Sequence, residues 1–347
     1  MVDAMAEEIA QSSFPFPIHE TVALQTIYLG GGTPSLLTTE HLQQLFDAIH
    51  RRYQIAGDAE ITLEANPDDI NPARLQDWQK LGINRLSVGI QSFQPEELAW
   101  MNRAHQAEQA IQCLAWIRSA GYTNFSVDLI FGSPLLSNEQ LEENMHRVIE
   151  ANVPHISCYA LTVESGTALG HQVKKGKAPD VDSDKQARQF LQVFDRLTTA
   201  GYEGYEISNY ALPGFRSQHN SAYWQGVPYG GIGPGAHSYR PGERQWNIAN
   251  NGLYIQGIQQ KMPPIEKEIL SSTQITNEYL MTALRTTEGI SLTHLGTLTS
   301  NNNLTQLVAR CRKYAEQNWL SISDKSIQLT RIGRLQADGI AADLFVD

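Results

Sequence analysis

TIYLGGGTPSLL (residues 26–37) is a short apolar run that breaks into three consecutive glycines and a Thr-Pro pair. Three glycines let a backbone pass close to a ligand with its N–H and C=O groups exposed, and proline then fixes the exit. A glycine pair alone reads as a tight turn, but the complete GGGTP directly behind an apolar strand points to a ligand site. Comparable runs recur at EITLEAN (60–66), RLSVGIQSF (85–93), FSVDLIFG (125–132), HISCYAL (155–161) and YEGYEISNYA (202–211). Amphipathic stretches separate them: Leu42, Leu45, Phe46 and Ile49 share a helical face, as do Leu141, Met145, Val148 and Ile149, and Phe190, Leu191, Phe194 and Leu197. Helix boundaries are marked by Asn71-Pro72 as N-cap and first turn, by capping-box spacing at Ser137/Gln140 and Ser183/Gln186, and by Gly82 and Gly121 just past helix ends. Apolar strands alternating with helices predict an α/β fold with parallel strands covered by helices. A barrel and a doubly wound sheet both fit, and periodicity does not choose between them.

The chain of 347 residues is 41% hydrophobic and 18% charged, enough for one large domain and a small one. Its formal net charge of −11 argues against a general nucleic-acid binder and against electrostatic docking on an anionic membrane. No stretch approaches the roughly 20 apolar residues that span a bilayer, and MVDAMAEEIAQSSF lacks the pattern of a secretory signal. Cys113, Cys158 and Cys311 are scattered and odd in number, so a reducing cytoplasm is expected rather than a disulfide framework. After Ala211 the rhythm breaks. Residues 212–252 read as long ordered loops, and 270–347 as a small, mostly helical domain with a short β-wing near SISDKSIQLT. The expected division is 1–240, a linker at 241–269, and 270–347.

In parallel α/β architectures the functional loops leave the C-terminal ends of the strands. Glu64, in Glu64-Ala65-Asn66-Pro67, could pair there with a ligand ammonium or ribose hydroxyls, or could serve as a helix-capping or salt-bridging carboxylate. Gln91 and Ser92 end the next strand. Arg103, read as lying at a helix start, could hold a carboxylate bidentately or stay solvated on the surface. Asp128 sits within an apolar run, where an unpaired carboxylate is costly, so it requires a partner.

GGGTPS (30–35), Glu64 with Asn66-Pro67, SVGIQSF (87–93), Asn102-Arg103 and DLIFGSP (128–134) together resemble the radical-SAM branch that holds the oxygen-independent coproporphyrinogen III oxidases and the HemW heme chaperones. The likeness continues through YALTVESGTAL (159–169), YEISNYA (205–211), HNSAYW (219–224), GIGPGAHS (231–238) and the C-terminal LTRIGRL. HNSAYW favours the chaperone side. The resemblance implies an incomplete (β/α)6 partial barrel lacking its first strand, with a small helical C-terminal domain. It implies an S-adenosylmethionine site in which Gly31, Gly32 and Thr33 hold the amino end, joined by Glu64, Gln91, Arg103 and Asp128. A zwitterionic methionine end needs acceptors and a cation, and ribose hydroxyls need carboxylate or amide partners, which agrees with these residue types. The resemblance further implies heme or porphyrin as ligand, with His219 as the candidate axial or propionate contact and Asn220, Tyr223 and Trp224 as supports. Acceptor proteins for the heme would be the partners. For His219 the plainer reading is a side chain that orders its segment by hydrogen bonding.

The sequence departs from the family at its start. Family members open with a strand leading into CxxxCxxC, whose thiolates hold a [4Fe–4S] cluster, and MVDAMAEEIA resembles instead the middle of the helix that follows. Without these thiolates no radical chemistry is expected of the residues as written, and the strand at 26–32 should be left with a bare edge. A late-placed start and a truncated gene would each produce this pattern.

Overall fold

The computed structural model describes residues 1–17 and 23–346. Helix α1 (Val2–Gln11) leads to β1 (Ala23–Leu29), and strands then alternate with helices: α2 (Thr39–Arg52), β2 (Gln54–Ala65), α3 (Pro72–Lys80), β3 (Arg85–Gln91), α4 (Pro95–Trp100), α5 (Ala107–Ser119), β4 (Phe125–Phe131), α6 (Asn138–Glu150), β5 (His155–Ala160), α7 (Ala168–Lys174), α8 (Ser183–Thr199), β6 (Glu203–Gly204) and β7 (Asn209–Ala211). Strands β1 to β5 pair in parallel in chain order; β7 runs antiparallel to β5, and β6 forms the far edge. The sheet is a curled half-barrel, the partial barrel that the resemblance implied.

Alternation along each strand explains the curl. Ile27, Leu63, Leu86, Val88, Val127, Leu129, Ile156 and Cys158 point outward into one core with Leu42, Phe46, Trp78, Ile117, Leu141 and Met145 of the helices. Their neighbours are polar: Thr26 and Tyr28; Glu60, Thr62 and Glu64; Arg85 and Ser87; Ser126 and Asp128; His155 and Ser157. Period-2 alternation puts these on the opposite, concave face. The expectation of strands covered by helices is thus met on one face only. A polar inner face excludes the doubly wound alternative, in which helices would bury both.

Most end signals behave as expected. The Asn71 side chain accepts the Arg74 N–H, Ser137 and Gln140 form a reciprocal box, and Gly82 and Gly121 both take φ +87° just past their helices. Two readings are corrected. Helix α8 is capped not by Ser183 but by Asp182, whose carboxylate accepts the N–H groups of both Asp184 and Lys185 in charge-assisted bonds. Arg103 lies past the C-terminal end of α4, not at a helix start: Asn102 adopts φ +53° and the Arg103 N–H returns to the Leu98 carbonyl.

Residues 212–269 are more regular than the loops and linker expected there. They form α9 (Gln218–Trp224), β8 (His237–Arg240), β9 (Glu243–Asn247), α10 (Asn251–Gln259) and β10 (Ile265–Ile269), with the three strands in an antiparallel sheet. Short polar strands of four or five residues left no pattern to separate them from loops. The last segment is mostly helical: α11 (Ser272–Leu284), β11 (Ile290–Ser291), α12 (Leu292–Leu298), α13 (Asn301–Glu316), β12 (Leu320–Ile322), β13 (Ser326–Leu329) and α14 (Ala337–Leu344). Its strands β12 and β13 are the expected wing, and it has its own core around Leu280, Leu284, Leu307, Ile327 and Leu344. It docks on the β6 edge, where the Arg334 guanidinium donates to the Gly204 and Glu206 carbonyls, each at 2.9 Å.

At the opposite edge, β1 pairs only with β2 among the described residues, and α9 packs against it. Among the described residues no helix is long and apolar enough to cross a membrane.

Candidate functional site

The concave face has two polar levels. The upper one lies at the C-terminal mouths of the strands and brings together the residues singled out at 30–34, 64, 91, 103 and 128. The three glycines have different reasons to be there. A Cβ on Gly30 would stand 2.5 Å from the Tyr28 ring and 2.7 Å from Glu64 Oε1, so this glycine makes room for two side chains to meet. Gly31 adopts φ +77°, and a Cβ on either Gly31 or Gly32 would meet nothing, so their backbone faces open space. Glu64 accepts the Tyr28 hydroxyl at 2.7 Å and the Gly31 N–H at 3.2 Å.

Beside it, Arg103 donates through Nη2 to Asn66 Oδ1 at 2.8 Å and to the Gly89 carbonyl at 3.1 Å. Gly89 is the hub of this cluster: a Cβ there would lie 2.8 Å from Gln91 Nε2, 3.4 Å from Arg103 and 3.8 Å from Asn66. Gln91 itself adopts φ +68°, an unfavourable conformation for a side-chain-bearing residue that tends to accompany functional sites. Asp128 is half-buried on β4. Ser157 stands directly opposite on β5 and its side chain favours the charged form, yet burial, with the nearby Glu64 charge, pushes the Asp128 carboxyl up to about 6. Ser92 instead supports the fold, bonding Asn144 of α6.

The lower level was not singled out from the sequence. Glu60 and Arg85, each almost fully buried, form an ion pair at 3.7 Å, and His155 bonds the Tyr205 hydroxyl at 2.8 Å. Thr62 Oγ1, Arg85 Nε and His155 Nδ1 are buried without a hydrogen-bond partner. Glu60 also accepts the Ser217 hydroxyl and the N–H groups of Gln218 and His219, at 3.3, 3.1 and 3.0 Å. It therefore holds the start of α9 across the concavity. The signal for this level was present in the polar members of each alternating strand.

Helix α9 carries HNSAYW. The His219 ring stacks on Tyr28 with centroids 4.8 Å apart and planes 19° apart. Its Nδ1 lies 2.8 Å from Thr26 Oγ1 and its Nε2 3.1 Å from the Tyr223 hydroxyl. Burial pushes its pKa down to about 4, so the ring is neutral near pH 7. Asn220 donates its N–H to Ser217 in the first turn, and Trp224 lies 5.8 Å beneath the Arg285 guanidinium, just past the end of α11. The geometry thus realises the plain hydrogen-bonding role weighed for His219.

The cysteines do not fit a cluster. Cys113, Cys158 and Cys311 are free and buried, and burial raises all three thiols, Cys113 and Cys311 to about 12. Among the described residues no three His, Cys, Asp or Glu side chains gather to hold a metal ion. A second buried carboxylate, Glu8 of α1, also went unnoticed in the sequence. It accepts the Gly233 N–H at 2.8 Å, Asn247 Nδ2 at 2.6 Å and the Tyr254 hydroxyl at 2.5 Å, tying α1 to the GIGPG loop and α10.

Comparison with known proteins agrees with this architecture. Residues 18–148 match the Radical SAM superfamily and residues 270–335 the HemN C-terminal domain. The heme chaperone HemW of Mycobacterium tuberculosis (strain CDC 1551 / Oshkosh) is 34% identical over 322 residues, covering 92% of this chain and 80% of the relative. HemW of Synechocystis sp. is 32% identical over 349 residues, covering 100% of this chain and 83% of the relative. The solved structure of Escherichia coli HemN, a coproporphyrinogen III oxidase described as a radical SAM enzyme, superposes with a TM-score of 0.84 at 22% identity, over 99% of this chain and 82% of that one. With these matches across both of its domains, the chain belongs to the HemW/HemN-like family of radical SAM proteins.

Proposed function

We propose that this protein is a heme chaperone that binds S-adenosylmethionine at the rim of its half-barrel and heme beside α9, and passes the heme to acceptor proteins in the cytoplasm. The observation that carries the reading is the upper polar level: acceptors, a cation and exposed backbone face one opening. Glu64 and the Gly31–Thr33 backbone suit an ammonium. Arg103 uses only Nη2 on Asn66 and Gly89, which leaves the rest of its fork for a carboxylate. Asp128 and Gln91 suit ribose hydroxyls.

For heme, His219 has the right protonation state, since a neutral imidazole is the ligating form. Thr26 orients the ring through Nδ1, as an outer hydrogen bond does for a metal-bound histidine. Tyr223, 41% exposed, covers Nε2 and must swing away for iron to bind there. A [4Fe–4S] cluster would supply reductive cleavage of S-adenosylmethionine when bound. Among the described residues no thiolate set fits it.

The alternative, oxidative decarboxylation of coproporphyrinogen III, is separated by experiment. Heme titration should give a saturable Soret shift that His219→Ala alters, and calorimetry should detect S-adenosylmethionine binding that Arg103→Ala weakens by about 1.5–3 kcal/mol, as for a hydrogen bond to a charged group. Coproporphyrinogen turnover, or failure to bind either ligand, would overturn the reading.

A further inference from the structure

Tyr28 touches both halves of the proposed site. Its hydroxyl donates to Glu64 at the rim, and its ring face lies against His219 of α9. Gly30 is the residue that permits this, because a side chain there would collide with both the Tyr28 ring and Glu64. Thr26, two residues earlier on the same strand and the same face, bonds the other side of the arrangement at His219 Nδ1. One strand edge therefore orients a rim carboxylate and an α9 imidazole together. No other described hydrogen bond or ring contact joins Glu64 to His219 in so few steps.

We infer that Tyr28 is a positioning residue shared by the two subsites, so that a ligand taking hold of Glu64 is felt by the His219 ring. An ammonium bound to Glu64 competes for the carboxylate oxygen that now accepts the Tyr28 hydroxyl. When that bond lengthens, the Tyr28 ring is free to slide or tilt, and the stacked imidazole loses the surface that holds its plane. Linkage makes the effect reciprocal: a ligand that reorients His219 alters the grip on Glu64 by the same factor. The inference rests on the functional reading for the identity of the ligands, but not for the coupling itself.

A double-mutant cycle in the ligand-free protein tests the coupling. The readout is the ring 15N resonances of His219 at a fixed pH of about 7.5, where the ring is neutral. Glu64→Gln should shift these resonances in the Tyr28 protein and leave them nearly in place in the Tyr28→Phe background. Tyr28→Phe keeps the ring and its stack and removes one oxygen, so the fold should survive. Equal shifts in both backgrounds, or none in either, would overturn the inference. This arm uses no ligand, so its failure is distinct from failure to bind S-adenosylmethionine or heme. In protein that binds both, saturating S-adenosylmethionine should change heme affinity about fivefold or more, and the ratio should fall toward one in Tyr28→Phe. An undiminished ratio in the variant would likewise overturn it.

Discussion

At Gly30 the glycine run does something the sequence did not reveal. Of the three glycines, only this one is demanded by side chains inside the fold. Gly30→Ala should destabilise by about 1–3 kcal/mol through overpacking, whereas Gly32→Ala should stay within about 0.5 kcal/mol as an open position. Urea midpoints of the two variants decide this, and equal midpoints would contradict it. Asp128 offers a second test at this scale. Its carboxyl is raised from 3.8 to about 6, so the folded state binds the proton more tightly than the unfolded one. Stability attributable to it is therefore present below about pH 4 and is lost as pH rises toward 6. Asp128→Asn should flatten that part of the stability–pH curve. It should also stabilise the ligand-free protein at pH 7.5 by about 1–3 kcal/mol, since a tenfold difference in proton affinity is worth about 1.4 kcal/mol. No gain at pH 7.5 would show that Ser157 and its surroundings already compensate the charge.

Among the elements, α9 depends most on a residue far from it in sequence. Its seven residues are too few to be stable alone. Glu60 on β2 satisfies its first donors, and Arg85 balances the Glu60 charge. Glu60→Ala would leave Arg85 buried and uncompensated, and should cost about 3–5 kcal/mol. Hydrogen exchange should show 217–224 opening first in that variant, while the α6–β5 region keeps its protection. Uniform loss across the barrel would instead mean that Glu60 serves the sheet as a whole rather than the helix.

Across the whole molecule, the cysteines report on the packing. Each thiol is buried and raised by desolvation, and the thiolate is the reactive form. A thiol reagent at pH 8 should label none of the three in the native protein and all of them in denaturant. Rapid native labelling at Cys158 would show that β5 is more open than its place in the core implies. The C-terminal unit has its own core and meets the rest of the chain at the β6 edge through Arg334, at α8 through Arg331–Asp195 and at α9 through Arg285 over Trp224.

Sequence by itself determined the strand–helix order of the large sheet, the caps at Asn71 and Ser137, the wing near SISDKSIQLT, and which residues gather at the strand mouths. Each of these follows from local periodicity, from turn chemistry or from a string of motifs. The polar members of RLSVGIQ and FSVDLIF belong to the same local pattern, but only the curl of the sheet shows that they line a concave face and so separates a half-barrel from a doubly wound sheet. Tertiary structure alone decided the rest. The pairing of Glu60 with α9, of Glu8 with Tyr254, and of Tyr28 with both Glu64 and His219 spans 36 to 246 residues of chain. A buried polar side chain announces that it needs a partner, but which partner it finds depends on where the fold brings distant segments, and no local pattern encodes that.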